Sequence, residues 1–144
     1  MPSISHPSAS ALRFIRAARL AHLATADANG EPHVIPICFV FDGKYFYSPI
    51  DMKPKRTSPT KLKRVKNIQA NAQAALVIDR YSENWQRLAY VLIRGTAKIL
   101  HRGAVHAEAV RRLRRKYPQY RPMAIHTRPM IEITPIRWTF WGKP

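Results

Sequence analysis

From Arg19 to Pro49 three β-rich segments follow one another with only turns between them. A fold that alternates strand and helix one for one does not accommodate such a run. Arg19 to Ala26 reads as a strand and Asp27-Ala28-Asn29-Gly30 as a turn. His33 to Phe41 is a second, very apolar strand. Asp42-Gly43 is the strongest hairpin signal in the chain, and Lys44 to Pro49 follows as a third strand. Pro36 removes one backbone donor from the second strand. Its position therefore lies on an edge, at a bulge or against a ligand.

The rest of the chain adds helices at wider spacing. Ser10 to Ala18 reads as a short helix with Leu12, Ile15 and Ala18 on one face. Ser58-Pro59 reads as an N-cap with proline in the first helical position, opening a helix that runs to about Ala70 on a Leu62, Val65, Ile68 stripe. Gln73 to Asp79 is a strand. Arg87 to Leu100 is a long one, with Gly95 marking a bulge or a close backbone approach. Gly103 to Tyr117 is a helix stopped by Pro118, and Met130 to Trp141 is a last strand or strand pair. The expected fold class is mainly β with peripheral helices: an antiparallel barrel in one domain, residues 1–144, with 1–9 as a flexible tail.

Composition narrows the chemistry. With 25 Lys+Arg against 8 Asp+Glu in 144 residues, the net charge of +17 favours polyanionic partners. Lys53 to Lys66, KPKRTSPTKLKRVK, holds seven basic residues and no acid. Arg111 to Lys116, RRLRRK, is a second cluster. A lone Cys38 permits no intrachain disulfide. Arg13, Arg16 and Arg19 interrupt any apolar leader, and no run is long enough to span a membrane, so a cytoplasmic protein is expected. The glycine signatures of dinucleotide and P-loop sites are missing, as is G-x-S-x-G. The six histidines are scattered, and neither a thiolate metal site nor a carboxylate dyad is suggested. Reactive chemistry, if present, belongs to a bound cofactor.

Four segments carry a resemblance: LATADANGEPHVIPICFVFDGKYFYSPID, then KRVKNIQANAQAALVIDRY, then WQRLAYVLIRGTAKIL, and ITPIRWTFW. In order and spacing the chain resembles the split β-barrel flavoproteins of the pyridoxamine-5′-phosphate oxidase-like superfamily, and among them the small F420-dependent type. The resemblance implies a homodimer with F420 (a deazaflavin) or FMN in a groove between subunits. It places backbone of Val34 to Ile37, with Pro36 and Ile37, against the ring system. Ser48 and Pro49 fall along the ribityl chain. Lys53, Lys55, Lys61 and Arg64 match the phosphate-binding positions. Trp138 or Trp141 would wall the ring or pack in the core, and Trp85 would cover the site or lie on the surface. No residue is implied as an obligatory acid or base.

The expected function is hydride transfer between bound cofactor and a small organic substrate. One alternative is a binding protein without turnover, for flavin, F420 or haem, with His22, His33 and His126 as nominal haem ligands. Another is a basic nucleic-acid-binding barrel, which the absence of aromatics from KPKRTSPTKLKRVK disfavours. No specific nucleic acid or membrane partner is expected.

Overall fold

The computed structural model describes residues 6–50 and 62–144. Three helices, α1 (Ala9–Ala17), α2 (Lys63–Ala70) and α3 (Ala104–Lys116), surround seven strands. The strands are β1 (Ala21–Ala26), β2 (Pro32–Ile37), β3 (Val40–Phe41), β4 (Phe46–Pro49), β5 (Gln73–Arg80), β6 (Ala89–Leu100) and β7 (Met130–Gly142). They form one sheet in the order β2-β1-β5-β6-β7-β4-β3, every neighbouring pair antiparallel. The mainly β, antiparallel expectation holds.

The sheet is curled, and its own connectivity requires this. β2 and β3 are its two opposite edges, yet Ile37 and Val40 are three residues apart, which is at most about 11 Å of extended chain. The single apolar strand expected over His33 to Phe41 is thus two strands on opposite margins. Pro36 does lie on an edge strand, where its missing donor leaves no ladder bond unmade.

Local chemistry sets the turns. The Asp27 carboxylate accepts from the amides of Asn29 and Glu31, both at 2.9 Å, and Gly30 takes a positive φ of 82°. Asp42 does the same for Lys44 (2.8 Å) and Tyr45 (2.7 Å) ahead of β4. The register of β6 against β7 shifts at Arg94/Gly95. A Cβ at Gly95 would run into the Thr134 carbonyl, so the expected bulge and the expected close approach are one feature. β7 is a single strand. α1 begins at Ala9, one residue earlier than its periodicity suggests, because Ser8 caps the Ala11 amide.

Alternation along the strands divides the apolar residues between two cores. Phe46 and Ile131 point inward with Leu23, Leu76, Ile93 and Trp138, beneath Ile15 of α1 and Val65 and Ile68 of α2. Tyr47 and Met130 point outward and pack under Val110, Leu113 and Tyr117 at the α3 side. α3 thus covers only the β4 end of the outer face. Across the other strands that face carries one register row of Pro36, His22, Val77, Leu92 and Thr139, with none of the three described helices over it. No helix among the described residues is long and apolar enough to cross a membrane.

Candidate functional site

Where β2 gives way to β3, Cys38 and Phe39 leave the ladder, and Tyr117 at the end of α3 replaces its hydrogen bonds. The Tyr117 hydroxyl accepts from the Phe39 amide (3.1 Å) and donates toward the carbonyls of Arg19 (3.0 Å) and Phe39 (3.1 Å). Burial pushes this phenol up to about 12. Arg19 donates to the Lys116 carbonyl at 2.6 Å, and its guanidinium lies 5.5 Å from the Tyr117 ring centroid. Three chain segments are therefore clamped at one point.

Beside the clamp opens a cleft of about 840 Å³. Leu20, Leu62, Met123, Tyr117 and Tyr120 give it apolar walls; Arg19 and Arg64 give it positive charge; Cys38 lies at the β2 exit. No carboxylate and no histidine lines it among the described residues. Leu62 is the N-cap of α2 and supplies no side-chain cap, and the positive dipole end of the helix lies next to Arg64. α2 is fixed in place by Asn67, 1% exposed, whose amide donates to the buried Thr25 hydroxyl of β1 at 3.1 Å. Lys63 adds an ion pair to Asp27 at 3.7 Å. The volume and lining suit a ligand with a flat apolar body and an anionic end.

The residues expected from sequence separate. Arg64 lines the cleft. Pro36 is exposed on β2, two residues before Cys38, which lines the cleft. Ile37 is buried in the inner core. Ser48 and Pro49 are buried on β4, paired with Ile131 and Met130. Trp138 is 6% exposed and packs edge-on against Phe41 and flat on Phe140, so within one copy of the chain its ring is taken up by the core. Lys53, Lys55, Lys61 and the Ser58-Pro59 cap fall outside the described residues; the described helix begins at Lys63. Trp85 is 72% exposed in a 3₁₀ turn, and Trp141 stacks on Tyr90 at the outer face. Of the nominal haem ligands, none lines the cleft: His22 is on the outer face, His33 on the edge strand, and His126 is bonded to Arg114 at 3.0 Å.

Leu20, Tyr117, Tyr120 and Met123 were not singled out for the site. They come from three stretches of sequence, and only Tyr117 carried a signal, as the residue before the helix-stopping Pro118.

The sequence profile of the pyridoxamine 5′-phosphate oxidase family matches residues 8–142. No curated protein matches the chain. Among solved structures it is similar to the conserved hypothetical protein Rv2991 from Mycobacterium tuberculosis (17% identity, TM-score 0.75, covering 99% of this chain and 89% of that one). It is also similar to HutZ, the haem storage protein from Vibrio cholerae (14%, TM-score 0.73, 91% and 90%). A third is an F420 reductase (22%, TM-score 0.66, 92% and 98%). At these identities the likeness is one of fold.

Proposed function

The chain belongs to the pyridoxamine 5′-phosphate oxidase family, and from that premise we propose that it is an F420- or FMN-dependent oxidoreductase, acting as a homodimer on a small organic substrate. The observation that carries this reading is the Arg64 cleft, with apolar walls, two arginines and the N-terminal end of α2 at its rim. When bound, the flavin or deazaflavin supplies the hydride chemistry at its ring. Arg64 and the first-turn amides of α2 hold its phosphate, joined by Lys53, Lys55 and Lys61. Leu20, Leu62 and Met123 exclude water from its flat body. The Tyr117 clamp keeps the β2 exit, and with it the backbone up to Pro36, in one position. Tyr117 stays protonated near neutrality and acts as a positioning group. In the homodimer, the outer face of β2, β1, β5 and β6 packs on its copy and encloses the part of the cofactor that one chain leaves open.

A second reading, haem binding without turnover, is favoured by the fold shared with HutZ. Parallel titrations of the purified protein with FMN, F420 and hemin at physiological salt separate the two. Saturation by FMN or F420 at micromolar concentration or below supports the oxidoreductase. A Soret band on hemin addition, with no response to either flavin, replaces it with the haem reading.

A further inference from the structure

The second basic cluster of the sequence does not enter the cofactor cleft. α3 turns Arg112, Arg115 and Lys116 toward the C-terminal end of α1, where Arg16 meets them over Val40 and Phe41. These six residues enclose a separate hollow of about 320 Å³. Four cations from two helices converge there, and none of its walls is acidic.

Structural needs account for only part of that charge. Lys116 spends its ammonium on the Phe39 carbonyl at 3.0 Å, over the Phe39 ring at 3.9 Å. The dipole at a helix C-terminus amounts to roughly half a negative charge, which one cation satisfies. Glu108 is the acid next to the cluster. It is committed first to Arg111, at 2.8 Å, and reaches Arg112 only at 3.5 Å. The Arg112 Nε, buried, is the atom that faces this Glu108 oxygen, with no hydrogen bond besides that ion pair. Arg16 and Arg115 make no hydrogen bond or ion pair among the described residues. Burial, with the nearby Arg19, pulls Lys116 down to about 8.

We propose that this hollow is a second anion-binding site, for a compact phosphorylated ligand, held by Arg16 from α1 and by Arg112 and Arg115 from α3. Its concavity and the convergence of two helices favour a small polyanion over an extended phosphate backbone, which a flat basic face would serve better.

The test is calorimetric titration with inorganic pyrophosphate, in a Lys55→Ala/Arg64→Ala background that disables the cofactor phosphate site. Saturable one-to-one binding is expected there. Adding Arg112→Ala/Arg115→Ala, or Arg16→Ala alone, should weaken it about tenfold or more, the value of one lost charge-assisted bond. Arg102→Ala, which removes an equal charge from the other end of α3, outside the hollow, should change it less than twofold. Arg115→Ala alone touches no bond that holds the fold and guards against misfolding of the double variant. Loss of binding in the Lys55→Ala/Arg64→Ala background overturns the proposal, as does equal sensitivity to Arg102 and Arg115. Tighter, Arg115-dependent binding of duplex DNA than of pyrophosphate would overturn it too, assigning the face to nucleic acid.

Discussion

Arg64 and Lys116 show how position decides the use of a cation. Arg64 stands in the first turn of α2 and lines an apolar cleft. Lys55→Ala/Arg64→Ala should weaken FMN or F420 binding at least tenfold; titration measures the loss, and a melting curve on the same sample shows whether the fold is kept. Lys116 is turned inward, and its ammonium is pulled from the usual 10.5 to about 8, mainly by burial. Below pH 8 it is charged whether the chain is folded or not, and the burial penalty applies in full. Between about 8 and 10.5 the unfolded chain still holds a proton that the folded one releases, so stability rises with pH through that window. Urea midpoints from pH 8 to 9.5 should rise in the wild type relative to Lys116→Met.

At the level of elements, hairpins and helices were legible because their signals are local: Asp42-Gly43, the Leu62-Val65-Ile68 stripe, Gly95, Pro118. The break at Cys38-Phe39 was not. Every residue from Val34 to Phe41 except Pro36 suits a strand, and what divides the run is a hydroxyl 78 residues away. The cleft was illegible for the same reason. Arg64 stood out by its place before Asn67, whereas Leu20, Tyr120 and Met123 join it only through the fold. Asn67 itself is a structural anchor, holding α2 on β1. Tyr117→Phe should cost about 2 kcal/mol, because the Phe39 amide and the Arg19 and Phe39 carbonyls lose their shared partner. Chemical denaturation measures that loss, and cofactor affinity should fall with it as the β2 exit loosens. Gly95→Ala should destabilise by ~2 kcal/mol or more, since the Thr134 backbone cannot retreat from the new methyl group without opening the β6–β7 ladder. The urea midpoint reads this directly.

For the whole molecule, the proposed dimer sets the exposed apolar residues of a sheet face, which also carries Arg94 and Arg137, against a large net charge. Val34 is 64% exposed and Ile136 67%, yet each chain carries +17. Two such chains repel over roughly 10 Å at 0.1 M salt. Dimerisation should therefore tighten as sodium chloride rises from about 50 to 300 mM, the reverse of an association held by ion pairs. Val34→Asp should shift the protein toward monomer at every salt concentration. Sedimentation equilibrium tests both statements.

β7 is the spine of the sheet. Along most of its length it pairs with β6, and its first four residues also hold β4, some 84 positions earlier in the chain. Until those residues exist, β4 has only the two-residue β3 beside it, and the curled sheet lacks one margin. During synthesis β3 and β4 therefore wait. β1, β2, β5 and β6 can pair as they emerge, whereas β4 gains its long-range partner only once residues 130–133 have been made. The cleft beside the Tyr117 clamp is thus built from segments far apart in sequence, the kind of contact that forms late.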